Sequence, residues 1–92
     1  MDRAVIVVTG SVQGVGFRWY VLEAARALGL TGEVRNRTDG AVVIEAEGAH
    51  DALDKLLEAA REGPVMANVG HVGVSWSEGA AQFPDFRIGR TS

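Results

Sequence analysis

Apolar residues along this chain recur with two different periods, and the order in which the periods alternate leaves few folds open. Period two comes first, in residues 4–10, where Ala4, Ile6 and Val8 share one face and Val5, Val7 and Thr9 the other. Helical spacing follows: Phe17, Val21, Ala24 and Leu28 form a stripe, Glu23 and Arg26 lie on the wet side, and Gly29 marks the end. Residues 31–37 return to period two. Val34 is their only large apolar residue and must face the core, so parity sends Gly32 and Asn36 with it, and Glu33, Arg35 and Arg37 to the opposite face. Thr38-Asp39-Gly40 signals a hairpin. The strand after it, residues 41–47, points Val42, Ile44 and Ala46 inward and Val43, Glu45 and Glu47 outward. The clearest helix is residues 49–62, with Ala49, Leu53, Leu56, Leu57 and Ala60 as its stripe and Gly63-Pro64 as its stop. Val72, Val74 and Trp76 alternate in a fourth strand; Val69 has the opposite parity, which predicts an irregularity near Gly70-His71. A Gly- and Ala-rich loop, Ser77 to Gln82, precedes a short strand around Phe86 and Ile88, and Pro84 places that strand at an edge.

The resulting order is β-α-β-β-α-β with a short final strand, which predicts an α+β, ferredoxin-like sandwich. Right-handed crossovers put both helices on one face of an antiparallel sheet, and the last strand extends that sheet or pairs beside it. The other face is left to solvent, although Val5, Val7 and Val43 make it apolar for such a surface. Those valines read as scattered surface residues; a weak dimer through that face is the alternative to the expected monomer.

Ninety-two residues predict a single domain, 1–92, with one core. A hydrophobic content of 47% and a charged content of 23% suit a globular chain without a membrane segment, and no N-terminal signal pattern is evident, so a cytoplasmic location is expected. Zero cysteines exclude disulfides, thiolate catalysis and Cys-ligated metal sites. A formal charge of −3 argues against nucleic acid as a partner. The two histidines, His50 and His71, are too few and too far apart to suggest a metal site, and His50 reads as first-turn helix surface.

Between the first strand and the first helix lies Gly10-Ser11-Val12-Gln13-Gly14-Val15-Gly16-Phe17-Arg18. Three glycines in seven residues free the backbone to turn its N–H groups toward a ligand, and a loop that opens onto a helix N-terminus is an anion cradle. It is not a Walker loop, since Phe17-Arg18 stands where Gly-Lys-Ser/Thr would be needed. Nor is it a cysteine-phosphatase loop, because Val12 holds the nucleophile's place. Ser11 has no base or orienting partner in the sequence and reads as a loop residue. Arg18 sits in the first helical turn, where the macrodipole disfavours a cation, so a solvated structural arginine is a poor account of it. Asn36 by itself reads equally as a cap ahead of Asp39-Gly40 or as a polar group of the site. Gln13 shapes the loop by hydrogen bonding in this reading, and Arg35 and Arg37 are rim charges.

These residues resemble the acylphosphatase family. The resemblance lies in Gly10-x-Val12-Gln13-Gly14-Val15-Gly16-Phe17-Arg18, in Leu28-Gly29-Leu30-x-Gly32-x-Val34-x-Asn36, in Asp39-Gly40 and Gly63-Pro64, and more weakly in Phe86-x-Ile88, and so spans nearly the whole chain. Glu33 departs from it, standing where the family commonly carries an aromatic residue; parity places it away from Asn36, which predicts an altered surface and an intact site. The resemblance implies hydrolysis of acyl phosphates, small-molecule mixed anhydrides, to a carboxylate and inorganic phosphate, with no metal, cofactor or covalent phosphoenzyme. It implies that Arg18 and Asn36 are catalytic and that the backbone of Val12, Gln13, Gly14, Val15, Gly16, Phe17 and Arg18 binds the phosphoryl group. The residue chemistry agrees: an acyl phosphate carries a good leaving group, so positioning and charge stabilisation are the main requirements. An amide such as Asn36 cannot act as a base, but it can orient an attacking water.

Two rival readings carry less. Ferredoxin-like sheets that bind RNA display aromatics on the open face, where this chain shows valines and carboxylates. Similar domains also open larger hydrogenase-maturation carbamoyltransferases, but those continue into Cys-rich zinc modules, whereas this sequence stops at Ser92.

Overall fold

The computed structural model describes residues 1–92. The elements follow the expected order: β1 (Asp2–Ser11), α1 (Phe17–Ala27), β2 (Thr31–Asn36), β3 (Val42–Gly48), α2 (His50–Glu62), β4 (Asn68–Glu78) and β5 (Phe86–Ile88). They form a five-stranded sheet of order β4-β1-β3-β2-β5. Each neighbouring pair among the first four strands is antiparallel, and β5 adds to the β2 edge in parallel, which makes the whole sheet mixed. No helix is long and apolar enough to cross a membrane.

Parity organises the core as the alternation predicts. Ala4, Ile6 and Val8 of β1 pair with Ala46, Ile44 and Val42 of β3, and all six are buried. On the other side of β1, Ala4, Ile6 and Val8 lie opposite Trp76, Val74 and Val72 of β4. The predicted irregularity is a bulge: Thr9 pairs with His71 and Gly10 with Val69, so Gly70 is left without a partner. Helix α2 buries Leu53, Leu56 and Ala60. Ala49 is its exposed N-cap and not part of the stripe.

Helix α1 is rotated relative to the predicted stripe. It buries Phe17, Val21, Leu22 and Ala25, while Ala24 and Leu28 pack only at the edge of the core. Most residues of this helix are apolar, so several stripes fit the sequence, and contact with α2 selects one of them. Tyr20 helps to fix it, its hydroxyl donating to the Ala59 carbonyl across the helix pair at 2.8 Å.

The open face also differs from expectation at one end. Glu47 has the predicted parity, but it is buried, because residues 79–83 fold back across it. Its carboxylate accepts hydrogen bonds from Gln82 N–H (3.0 Å), Phe83 N–H (2.9 Å), the Thr31 hydroxyl (3.0 Å) and Arg3 Nη2 (3.1 Å). Burial raises a carboxyl pKa, but these donors outweigh it, and Glu47 titrates below the usual carboxylate range. Val43, on the same face, is also buried, with Val7 and Arg35 as its cross-strand neighbours. The Arg35 guanidinium reaches Glu45 at 2.6 Å and Glu33 at 3.4 Å, so its stem lies over this part of the sheet.

Candidate active site

The loop between β1 and α1 needs glycine at two positions because of backbone conformation. Gly14 has φ 73° and Gly16 φ 81°, a left-handed geometry that L side chains rarely adopt, while a Cβ at either place would meet nothing. The constraint is the turn itself, which leads the chain directly into α1. Gly16 is the N-cap of that helix, offers no side-chain cap, and is followed by a first turn without an acidic residue. Helix α2 contrasts with it, carrying Asp51 in its first turn. Along the loop and first turn, the backbone N–H groups from Val12 to Trp19 have no acceptor within the protein, and the Gly16 carbonyl closes the first helical bond from Tyr20.

These unpaired donors border a cleft of about 240 Å³ lined by Val12, Gly14, Gly16, Phe17, Arg18, Trp19, Asn36 and Ile88. Arg18 is the only charged side chain in the lining, and it makes no ion pair. Nearly every other arginine near the sheet is engaged: Arg3 with Glu47, Arg35 with Glu45, and Arg37 with Asp39. Arg37 and Asp39 meet through two guanidinium nitrogens, and this hydrogen-bonded contact holds the Asp39 carboxyl below its usual range. Only Arg18 presents an unneutralised guanidinium to a cleft that already holds unpaired N–H donors.

Asn36 closes β2 and lines the same cleft, so strand parity and the loop bring together the two residues singled out in the sequence. Its Oδ1 is buried and has no hydrogen-bond partner. Leaving such an acceptor bare costs about 1–3 kcal/mol, and elsewhere in the molecule only Arg3 Nε is a buried side-chain atom in that condition. The Asn36 backbone, by contrast, is held firmly. Ser92 N–H donates to the Asn36 carbonyl, and Thr38 N–H donates to the Ser92 carbonyl, so the segment after β5 brackets this residue.

Of the predicted phosphoryl-binding stretch, Val12, Gly14, Gly16, Phe17 and Arg18 line the cleft, and Gln13 and Val15 do not. Gln13 instead donates through Nε2 to the carbonyls of Arg37 (2.7 Å) and Ala41 (2.9 Å), which ties the loop to the β2–β3 hairpin. Val15 packs against the core. Ser11 is exposed at the end of β1, outside the lining. His50 stacks on Trp76 at 4.5 Å and contacts Asp2, at a second and more open depression. Glu33 lies on the opposite face against Gly89, outside the cleft. Two lining residues were not singled out as site residues from the sequence: Trp19, and Ile88, which was read only as part of the final strand. Trp19 had one available signal, a large aromatic directly after Arg18 on a helix face that the stripe does not use.

The acylphosphatase family model matches residues 4–88. The chain belongs to the acylphosphatase family. An acylphosphatase from Salinibacter ruber is 53% identical over 90% of this chain and 87% of its own length. The crystal structure of acylphosphatase from Bacillus subtilis superposes with a TM-score of 0.92 at 40% identity, covering 96% of this chain and 98% of that one. Full-length HypF, solved in a phosphate- and nucleotide-bound form, is similar over 99% of this chain and 12% of its own, at 30% identity and a TM-score of 0.86. These acylphosphatase relatives bear out the enzyme class that the resemblance implies, a hydrolase, together with the ferredoxin-like fold.

Proposed function

We propose that this chain hydrolyses the carboxyl–phosphate bond of acyl phosphates, releasing a carboxylate and inorganic phosphate. In this reading Arg18 and the backbone N–H groups of residues 12–18 hold the phosphoryl oxygens, and Asn36 positions the attacking water. The single observation that carries it is the bare, buried Oδ1 of Asn36 in the cleft that also holds the unpaired Arg18 guanidinium.

The chemistry follows from those groups. A dianionic phosphoryl group supplies the acceptors that the loop N–H groups and Arg18 lack, and the helix N-terminus adds its positive end. Arg18 offers a planar fork suited to two phosphoryl oxygens. A water in the cleft hydrogen-bonds to the Asn36 amide, which fixes the water's lone pair toward phosphorus. Attack expels the carboxylate from the opposite side, with charge building on oxygens that the donors already face. No protein base is assigned; the water's remaining proton passes to a phosphoryl oxygen of the substrate. The lining includes no His, Cys, Asp or Glu side chain, which supports a reaction run by hydrogen bonds and one guanidinium. The experiment is phosphate release from benzoyl phosphate in the presence of EDTA. Turnover is expected for the native chain and its loss for Arg18→Ala; no native turnover, or undiminished turnover in the variant, overturns the proposal.

A further inference from the structure

Trp19 is 63% exposed, yet it is one of the eight residues that line the cleft. It has no aromatic partner, since the ring pairs of the molecule are Phe17 with Tyr20 and His50 with Trp76, and its indole N–H makes no hydrogen bond. A tryptophan in this condition adds little to the packing of α1, where alanine is the better helix former. Exposed apolar residues are commonplace when scattered. This one is not scattered: it follows Arg18 directly at the start of the helix and shares the cleft wall with Ile88, which is half-buried.

The polar and apolar parts of the lining divide the cleft. Gly14, Gly16, Arg18 and Asn36 offer donors, charge and one bare acceptor. Val12 and Phe17 are almost wholly buried and form the floor, which leaves Trp19 and Ile88 as the apolar surface a ligand can cover. At about 30 Å³ per water-sized oxygen, the four oxygens of a phosphoryl ester end fill about half of the space. The acyl end must occupy the rest of the cleft or its mouth, and Trp19 and Ile88 are the accessible apolar surface available to it.

We infer that Trp19 is the specificity-determining residue for the acyl end, forming a platform that favours acyl phosphates with an aromatic or extended apolar acyl group over small ones. This rests on the acyl phosphate reading above and names the substrate class within it. Stacking of a planar acyl group on an exposed indole contributes through its own aromatic term and through desolvation of both faces, a preference of about tenfold.

The test is kcat/KM for benzoyl phosphate and for acetyl phosphate in the native chain, Trp19→Ala and Trp19→Phe. The benzoyl-to-acetyl ratio is expected to fall about tenfold in Trp19→Ala, carried mainly by KM, and to be largely restored in Trp19→Phe. Inhibition by inorganic phosphate, which lacks an acyl end, is expected to change less than twofold. A further arm compares competitive inhibition by benzylphosphonate and methylphosphonate, whose ratio must fall in parallel. Equal losses on both substrates, or an unchanged ratio in a folded variant, overturn the inference while leaving the hydrolase reading intact. A native chain that turns over neither substrate overturns both. Should Trp19→Ala fail to fold, the benzoyl-to-acetyl ratio in Trp19→Phe and Trp19→Leu decides: retained in the first and reduced in the second supports the platform, and equal in both overturns it.

Discussion

The fold gathers hydrogen-bond donors around a place for an anion twice, once closed and once open. At the closed place the anion is the protein's own Glu47, surrounded by Gln82 N–H, Phe83 N–H, the Thr31 hydroxyl and Arg3. At the open place, the loop N–H groups and Arg18 border a cleft that no carboxylate enters. Both places use main-chain amides and one guanidinium, with the Thr31 hydroxyl added at the closed one. What differs is whether the chain itself supplies the acceptor. Where it does, the arrangement fastens residues 79–83 over the sheet. Where it does not, the unmet donors wait for an acceptor from solution, and the bare Asn36 Oδ1 adds an unmet acceptor beside them. Saturation, not composition, separates the closed place from the open one.

The largest expected effect breaks the open place. Arg18→Ala removes its only charge and is expected to lower kcat/KM for benzoyl phosphate by about a thousandfold, since one preorganised donor is worth about 2.7–4 kcal/mol of barrier. Because Arg18 makes no ion pair, the thermal midpoint is expected to shift by no more than a degree or two. A calorimetric midpoint that drops steeply instead would assign Arg18 to the fold.

Asn36→Ala comes next and separates water positioning from phosphate binding. Its kcat is expected to fall about a hundredfold or more, while competitive inhibition by inorganic phosphate is kept within a few-fold. A collapse of phosphate affinity would make Asn36 a binding residue. Removing the buried amide also removes a bare acceptor, so stability is expected to hold or to rise slightly.

Much of the open place was legible in the sequence, because it depends on local rules. Glycine spacing set the turn, and period two in residues 31–37 carried Asn36 to the helix side of the sheet without any knowledge of its neighbours. The closed place was not legible. Parity put Glu47 on the open face correctly, but its burial depends on a Gly- and Ala-rich segment some 35 residues later folding back on it, as the Gln82 contact shows. Nothing local marks such a return. The bracketing of Asn36 by Ser92 was hidden for the same reason: β5 joins β2 in parallel, so no hairpin turn announces the pairing. Helix α1 failed differently. Its residues are so uniformly apolar that periodicity could not choose between the stripe through Ala24 and Leu28 and the observed one through Leu22 and Ala25. The same ambiguity kept Trp19 out of view.

Glu47→Gln breaks the closed place and is expected to leave kcat per folded molecule unchanged. The amide keeps one acceptor but turns an NH₂ group toward backbone donors, leaving buried N–H groups unmet at a cost of about 2 kcal/mol. For a chain of this size that corresponds to a midpoint lower by about 8–16 °C. Thermal unfolding monitored by tryptophan fluorescence measures it directly. A midpoint within about a degree of the native value would mean that the 79–83 segment holds without its anion.

The last comparison is in pH, where the two places are expected to part most cleanly, although the effect at one of them is nil. Glu47 has a folded pKa below the ordinary carboxylate value, so the unfolded chain binds more protons as acid is added. Its contribution is therefore complete above the unfolded pKa, near 4.3, and is lost as pH falls through the lower folded value. Native stability should decline in that acid range with a steeper slope than that of Glu47→Gln, which lacks the titrating group. No His, Cys, Asp or Glu lines the open place, and both histidines lie outside its lining, so kcat should stay broadly flat from about pH 5 to 7. A bell-shaped profile centred on the histidine range would place a titrating side chain in the reaction and contradict a site that works by positioning alone. A flat profile beside an acid-sensitive unfolding curve is the outcome that the open and closed places require.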